Sequence, residues 1–247
     1  MKRLITTTAL LGALATGAFA QDLTPMTEEE RALFRAEVRA YLFENPEVIM
    51  QAVEILQNRE AENQERADFD LVAQNSTSLF DDGYSFVGGN PDGDIVLVEF
   101  LDYRCGYCKR AHGEVAELLE SDGNIKWIVK ELPILGDASV LASRFAVAVK
   151  QVSGGDSYEA IGTALMDFKG DITLPSLRRL GNTFGLDMPA IEARMDSDAV
   201  TAEIVQTRAL ADALQISGTP TFVMQDELLR GYLPLEQMQA LVEDKRG

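Results

Sequence analysis

Two kinds of hydrophobic pattern succeed each other along the chain. Between residues 27 and 74, apolar side chains recur at helical spacing, and from Gln57 onward the sequence turns polar while keeping good helix formers. This pattern predicts two helices, the second of which continues as a solvated stalk. Thr27 before a run of glutamates predicts the first helix start, and Asn45 before Pro46 predicts the second, with Asn45 as its cap.

The apolar stripes of these two helices need a partner, because two short helices cannot bury both stripes alone. Docking on the rest of the chain and association with further copies of the chain would each satisfy this need. The polar stalk favours association, since it separates the stripes from the residues that follow. We therefore expect residues 27–74 to mediate a homo-oligomer.

Short continuous apolar runs begin further along the chain. Residues 95–101 form one such run, which is typical of a strand buried on both faces. An amphipathic segment extends from there to about residue 120, and a second buried strand is expected at 125–129. Together they predict a βαβ unit with parallel strands and a right-handed crossover. A further short strand is expected around residues 84–87.

A helical pattern then dominates from about residue 138 to 214, interrupted by glycine breaks. Strand signals return at residues 221–224 and 228–229, and a last helix is expected after Pro234. The order of elements predicts an α/β fold. It is a thioredoxin-like core with an all-helical insertion at about 138–214, preceded by an N-terminal helical extension.

Composition and the first residues indicate an exported protein. A basic start, an apolar stretch and the A-x-A site at residues 18–20 predict a signal peptide at 1–20. We divide the remainder into an N-terminal helical region at 21–75 and a domain at 76–247. The formal charge of −18 argues against nucleic acid as a partner, and no later run is long enough to insert into a membrane. The expected location is the periplasm, an oxidising space.

Cys105 and Cys108 are the only two cysteines of the chain. Two cysteines in an exported protein normally suggest a structural disulfide, but a bridge this short closes a loop too small to constrain much chain entropy. A zinc site is disfavoured, since zinc wants about four ligands and the chain offers two thiols and one histidine. A strand that ends in C-x-x-C at a helix start is typical of a thiol–disulfide redox enzyme, which needs neither metal nor cofactor.

The positions of the two cysteines predict their roles. Disulfide exchange needs a thiolate that a substrate can reach, and the unpaired N–H groups of a helix start stabilise the anion of Cys105. Cys105 is therefore the expected nucleophile. Cys108, one turn further on the inward stripe, is the expected resolving thiol that releases the substrate. Gly106 and Tyr107 lie between the two cysteines and are expected to tune the redox potential.

Glu99 and His112 are two further candidates near these thiols. Glu99 interrupts an apolar strand, and a buried carboxylate is costly unless it is paired or protonated. One interpretation makes it catalytic, accepting a proton from Cys108 through water; the other points it at solvent on an uncovered face of the sheet. His112 is too far from Cys105 for direct pairing, and a satisfied inward histidine is favoured over a role in tuning the thiols.

Two motifs carry a resemblance to a known family. Residues 96–109, VLVEFLDYRCGYCK, resemble the active-site segment of exported DsbA-family thiol–disulfide oxidoreductases, with an acid six residues before the first cysteine that falls on Glu99. Residues 218–222, GTPTF, resemble the cis-proline loop of that family. The resemblance covers about residues 80–247. It implies that the Thr219–Pro220 bond is cis and packs against the disulfide, while the Thr219 backbone pairs with an extended substrate.

The resemblance also implies which residues meet the substrate and how the chain assembles. The expected substrate-binding residues are Thr219, Pro220, Gly106 and Tyr107. Residues 41–49 are similar to the N-terminal helices of the copper-sensitivity suppressor, or ScsC-like, branch of the family, in which such helices mediate oligomerisation. A homo-oligomer is implied for this chain, with a trimer as one form.

The predicted function is thiol–disulfide exchange with unfolded or misoxidised exported proteins, supported by a membrane redox partner that reduces or reoxidises the dithiol. The oxidase of the family carries Pro-His between its cysteines, whereas this chain has Gly-Tyr, the pair found in periplasmic disulfide isomerases. Together with the N-terminal helices, this favours an isomerase or reductase. The alternatives are an oxidase that donates its disulfide, a non-catalytic chaperone and a copper-handling thiol protein.

Overall fold

The computed structural model describes residues 26–247. The chain divides into two compact units, with the boundary between Gln57 and Asn58. The predicted signal peptide at residues 1–20 lies outside the described residues. Within residues 26–247, no helix combines the length and the apolar character needed to cross a membrane.

The first unit contains helix α1 (Glu28–Glu44) and the beginning of helix α2 (Glu47–Gln74). The capping box predicted at the start of α1 is confirmed: the Glu30 backbone N–H donates to the Thr27 hydroxyl, and the Thr27 N–H donates to the Glu30 carboxylate at 2.9 Å. The predicted cap of α2 is wrong. The Asn45 side-chain amide donates to the Tyr41 carbonyl at 2.9 Å, so Asn45 closes the last turn of α1 instead.

The C-terminal part of α2, from Asn58 onward, belongs to the second unit. The sequence predicts a solvated stalk here, but two residues of this part are buried. Asp68 and Val72 are both buried. The Arg230 guanidinium donates to the Asp68 carboxylate at 2.6 Å, and this pairing allows a charged residue of a polar run to leave water. The polar character of the run correctly predicts exposure for most of its residues but not for Asp68.

The second unit consists of one sheet and the helices that pack around it. After α2 come α3 (Ser76–Phe80), β1 (Phe86–Gly89), β2 (Ile95–Leu101), α4 (Gly106–Asp122), β3 (Ile125–Glu131), α5 (Asp137–Ser153), α6 (Gly155–Met166), α7 (Leu174–Thr183), α8 (Met188–Met195), α9 (Asp198–Ala213), β4 (Thr221–Met224), β5 (Glu227–Arg230) and α10 (Leu235–Arg246). The thioredoxin-like core and the helical insertion, α5 to α9, are confirmed. The short strand expected at residues 84–87 lies two residues later.

The five strands are ordered β1-β3-β2-β4-β5. β2 and β3 pair in parallel across the α4 crossover, which confirms the βαβ unit, while the remaining pairs are antiparallel. β2 therefore lies in the centre of the sheet. The α4 helix leaves from its carboxyl end, which is where ligands and reactive groups gather in sheets of this kind.

Both faces of the central strands are covered, which explains the continuous apolar run of β2. Odd-numbered residues such as Leu97 and Leu101 pack in the core that α4, α5 and α6 complete. Even-numbered residues such as Val98 and Phe100 pack in a second core with residues of α2, α3 and α9. A strand buried on both faces has no position at which polar alternation is favoured.

Candidate active site

Cys105 stands at the junction of β2 and α4. It is the N-cap of α4, with an extended backbone (φ −72°, ψ 119°), and its sulfur accepts the backbone N–H of Cys108 at 3.4 Å. Both cysteines are free thiols. The side chain of Cys105 retains 8% exposure, whereas Cys108 has none. Cys105 therefore lies nearer the surface than Cys108, which the sequence places on the inward stripe of α4.

The loop before β4 meets the outer thiol. The Cys105 Sγ donates to the carbonyl oxygen of Thr219 at 3.1 Å, and the Thr219–Pro220 peptide bond is cis, as the resemblance implies. Thr219 is half-buried and Pro220 is buried, whereas Gly106 and Tyr107 are exposed beside them. The structure thus brings together all four residues expected at the substrate surface.

Asp102 shapes the approach to Cys105, and sequence reasoning missed it. Its carboxylate accepts the backbone N–H of Arg104 at 2.8 Å and those of Ile134 and Leu135 at 2.9 and 3.0 Å. Its carbonyl accepts the N–H of Cys105 at 3.0 Å. A buried aspartate that satisfies three backbone donors fixes the turn between β2 and α4. An aspartate three residues before a helix cap is the signal that could have predicted this turn.

Glu99 is fully buried on the same sheet face as α4, so the solvent-facing alternative is wrong. Helices cover that face, and an odd-numbered position of β2 points beneath them. The indole Nε1 of Trp127 donates to Glu99 Oε2 at 3.1 Å, while Oε1 has no hydrogen-bond partner among the described residues. Burial raises the pKa of Glu99 to about 7, against the lowering effect of the Trp127 hydrogen bond.

Cys108 shares this environment. Burial raises the pKa of its thiol, and the neighbouring charges of Cys105 and Glu99 act in the same direction. A thiol of this kind attacks a disulfide only after a nearby group has accepted its proton. Glu99 is the carboxylate whose charge acts on this thiol.

A second buried carboxylate, Glu131 at the end of β3, was not predicted from the sequence. It accepts hydrogen bonds from the hydroxyls of Tyr103, Tyr158 and Ser143. The three donors come from three separate parts of the chain. No local sequence pattern links them, and only the fold shows that they converge.

His112 takes the satisfied arrangement that the sequence favoured. It is half-buried on α4, and its Nε2 lies 3.1 Å from the hydroxyl of Thr163 on α6. Burial lowers the pKa of its imidazole. Among the described residues, no group of three or more His, Cys, Asp or Glu side chains is arranged to hold a metal ion.

Two family profiles match the chain in adjacent parts. Residues 81–244 match the family described as thioredoxin. Residues 30–63 match the family described as the copper resistance protein ScsC N-terminal domain. The first covers all five strands of the sheet, and the second covers most of α1 and the first half of α2.

Solved structures with the same arrangement are similar along most of their length. A thioredoxin-like oxidoreductase from Silicibacter pomeroyi is 40% identical, with 69% of this chain and 96% of that chain covered and a TM-score of 0.65. Salmonella enterica Typhimurium BcfH is 25% identical, covers 89% and 97%, and has a TM-score of 0.75. Proteus mirabilis ScsC in a transitional conformation is 26% identical, covers 89% and 98%, and has a TM-score of 0.65.

Several curated proteins that the chain resembles are much longer than the matched segment. The Na(+)/H(+) antiporter NhaA 3 of Salinispora tropica is 25% identical over 156 residues, which are 63% of this chain and 24% of that protein. The chain thus spans about a quarter of the length of the first curated relatives that it matches. Disulfide bond formation protein D of Bacillus subtilis is 22% identical over 169 residues, with 63% and 74% covered.

Proposed function

The chain belongs to the thioredoxin family, in the DsbA-like branch that includes ScsC, and from that premise we propose that it is a thiol–disulfide oxidoreductase of exported proteins. One observation carries the proposal. The thiol of Cys105 caps a helix and meets the Thr219 carbonyl beside a cis-proline, with a second, buried thiol one turn behind it. We propose Cys105 and Cys108 as the catalytic residues and Glu99 as the catalytic proton acceptor for Cys108.

In the first step, the Cys105 thiolate attacks one sulfur of a substrate disulfide. The substrate S–S bond breaks, a Cys105–substrate disulfide forms, and the other substrate sulfur leaves as a thiolate that takes a proton from water. The N–H groups of the first turn of α4 stabilise the attacking anion, as the Cys108 N–H already contacts the sulfur. As the Cys105 thiol ionises, its proton goes to solvent and its hydrogen bond to the Thr219 carbonyl is lost.

In the second step, Cys108 resolves the mixed disulfide. Its proton passes to the Glu99 carboxylate, directly or through one water. Its sulfur then bonds to the sulfur of Cys105, and the substrate leaves as a thiolate. Once the leaving thiolate has taken a proton from water, the two steps together have converted the enzyme dithiol to a disulfide and the substrate disulfide to two thiols. Glu99 is suited to this transfer because burial places its pKa at about 7, near the working pH of a general base.

Thr219 and Tyr107 would hold the substrate across this site. The Thr219 backbone lies at the thiol and before the first residue of β4, where an extended peptide could add to the chain by β-augmentation. Tyr107 is 60% exposed, and its ring lies 6.0 Å from that of Tyr232, which gives the substrate an aromatic surface next to Cys105. Gly106, with no side chain, keeps the approach to the sulfur open.

For the direction of exchange, we propose isomerase or reductase activity in a homo-oligomer, with oxidase activity as the alternative. The support comes from the first unit. An apolar groove there is lined by Phe34, Val38, Leu42, Phe43, Pro46 and Ile49. These side chains would pack against further copies of the chain, as in a coiled-coil or bundle seam. Several thiols facing one substrate allow repeated capture and release.

The surroundings that we propose are the periplasm and a membrane redox partner. An isomerase or reductase has to be kept in the dithiol form, so its partner would supply electrons. An oxidase would need a partner that accepts them. Unfolded or misoxidised exported proteins are the proposed substrates in both cases.

Refolding of scrambled and of fully reduced ribonuclease, run in parallel, tests this proposal. The protein beginning at Gln21 is compared with a double variant, Phe34→Glu and Val38→Glu, which places charge in the groove but leaves the second unit intact. Recovery of scrambled ribonuclease that is lost in the double variant, together with a fall in oligomer size, would support an oligomeric isomerase. Activity confined to reduced ribonuclease would establish an oxidase. Activity that persists in Cys105→Ser would point to a chaperone instead.

A further inference from the structure

Glu131 is a buried carboxylate that the two-step exchange does not use. Tyr103 and Tyr158 both donate their hydroxyls to its Oε1 at 2.6 Å, and Ser143 donates to its Oε2 at 2.7 Å. All three donors are neutral, and all three are directed at the same carboxylate. A carboxyl group that accepts three hydroxyl hydrogen bonds is best satisfied when it is ionised, because a proton on either oxygen would compete with a donor.

Glu131 and Glu99 are neighbours on one face of the sheet. In the parallel β2–β3 register, Glu99 is opposite Val129, and Leu101 is opposite Glu131. Paired positions of adjacent strands point to the same side, and so do positions two residues apart. The two glutamates are therefore diagonal neighbours on the face that α4 covers.

Their hydrogen bonds differ in a way that decides which one ionises first. Glu131 has three donors, while Glu99 has one, from Trp127, and the other oxygen of Glu99 has no partner within residues 26–247. Burial raises the pKa of both carboxyls to about 7. Two adjacent buried carboxyl groups cannot both ionise easily. The one with more hydrogen-bond donors, Glu131, takes the charge, and Glu99 keeps its proton to higher pH.

We propose that Glu131 is a positioning residue for the resolving step: it is the charged member of a buried carboxylate pair, and its charge sets how tightly Glu99 holds the transferable proton. The inference rests on the proposed function. An ordinary carboxylate is a poor base for a buried thiol, because the pKa of the carboxyl lies far below that of the thiol. A fixed negative charge beside Glu99 narrows the difference in proton affinity between Glu99 and Cys108.

The other groups that face the pair are consistent with this assignment. Tyr103 and Tyr158 remain protonated, since burial and the charge of Glu131 raise the pKa of both phenols. Lys150 on α5 attracts the charge of Glu131 and lowers its pKa, but the Lys150 ammonium is bound to Glu203 and to the Tyr84 carbonyl. The charge of Glu131 in turn raises the pKa of Glu99.

The test follows the resolving step as a function of pH. Reduced protein is mixed with an excess of oxidised glutathione, so that glutathionylation of Cys105 is fast and resolution by Cys108 is the concentration-independent phase. Trp127, the only tryptophan, reports this phase by fluorescence. In Glu131→Gln, the midpoint of the rising pH–rate limb is expected to fall by roughly one unit, with a lower plateau rate, because a nearby charge has been removed. In Glu131→Asp, which keeps the charge, the midpoint is expected to return toward that of the unmodified protein.

Ser143→Ala is the matched control, since it removes one hydrogen bond from the same carboxylate and keeps the charge. Its midpoint should stay near that of the unmodified protein. If Glu131→Gln and Ser143→Ala both change only the rate or the stability, and neither moves the midpoint, the inference is wrong and Glu131 is merely structural. Glu99→Gln separates this from failure of the proposed function: a pH limb that survives in Glu99→Gln overturns Glu99 as the proton acceptor.

Should Glu131→Gln fail to fold, carbon-13 NMR titration of the glutamate carboxyls decides the question. Two buried carboxyls should titrate in sequence in the unmodified protein. Glu99→Gln is expected to remove the titration at higher pH. Removal of the titration at lower pH would mean that Glu99 carries the charge, and this would overturn the inference.

Discussion

The sulfur of Cys105 lies 3.1 Å from the carbonyl oxygen of Thr219, a residue 114 positions further along the chain. This contact joins the helix start after β2 to the loop before β4, and the whole helical insertion lies between them in sequence. It places the thiol of Cys105 against the backbone that we propose pairs with an extended substrate. Cys108, one turn behind, has no exposed surface.

The two thiols should therefore differ in reactivity toward a small alkylating reagent. At neutral pH, we expect iodoacetamide to modify Cys105 at least about 100-fold faster than Cys108, because Cys108 is buried and burial raises the pKa of its thiol. Peptide mass spectrometry after timed quenching measures both rates in one sample. Equal rates would show that Cys108 is as available as Cys105, contrary to the proposed roles.

Replacing Glu99 should slow resolution and leave the first attack unchanged. In Glu99→Gln, we expect the second phase of the reaction with oxidised glutathione to slow by about 100-fold, the usual contribution of a positioned base. Acid quenching and mass spectrometry would show the mixed disulfide accumulating. Glu117→Gln, an exposed position on α4, is the control and should behave as the unmodified protein. A normal second phase in Glu99→Gln would remove Glu99 from the mechanism.

Replacing Trp127 should move the same pH profile upward. The indole N–H donates to Glu99 and so favours its ionised form. In Trp127→Phe that donor is lost, the pKa of Glu99 rises, and the midpoint of resolution should shift to higher pH, opposite to the shift expected for Glu131→Gln. Quenched-flow mass spectrometry measures it without tryptophan fluorescence. A cavity alone would lower stability without moving the midpoint, so an unchanged midpoint counts against the hydrogen bond.

The buried Glu99 should also make stability depend on pH. Its pKa is 4.5 for an ordinary side chain and about 7 in the folded protein, so between these values the folded state binds more protons than the unfolded state. The free energy of unfolding therefore falls as pH rises through this window. A shift of this size corresponds to about 3 kcal/mol. Urea unfolding of the unmodified protein and Glu99→Gln at pH 4.5 and pH 8 measures it.

When the pH rises from 4.5 to 8, the unmodified protein should lose about 3 kcal/mol of unfolding free energy relative to Glu99→Gln. Any fixed cost of burying the amide appears equally at both pH values and cancels. Parallel pH dependence of the two proteins would mean that Glu99 titrates in the folded state as it does in the unfolded chain.

Elements whose causes are local could be predicted from the sequence. The boundaries of β2 and β4 follow from continuous apolar runs, and Thr27 and Glu30 predict the start of α1 because both partners lie within one turn. Asn45 shows the limit of such reasoning. An amide side chain can accept a hydrogen bond at the start of a helix or donate one at its end. Asn45 was expected to accept at the start of α2, but it donates at the end of α1.

The site was predictable as far as its motifs, and no further. Cys105, Cys108 and Thr219 lie in short signatures, and the apolar surroundings of Glu99 indicate burial. Glu131 could not be found in this way, because its donors come from other parts of the chain and converge only after folding. For Asp102, the local turn with Arg104 was open to sequence reasoning, but its bonds to Ile134 and Leu135 were not. The buried Asp68 has the same explanation, since its partner is Arg230 on β5.

Trapping of the mixed disulfide tests the central claim most directly. In Cys108→Ser, oxidised glutathione should leave a stable adduct on Cys105, detectable by intact mass and located by peptide mapping, because no second thiol resolves it. In Cys105→Ser, the buried Cys108 should remain unmodified over the same time. Adduct formation on Cys108 in Cys105→Ser, at a rate equal to that of Cys105 in Cys108→Ser, would contradict the assignment of Cys105 as the nucleophile.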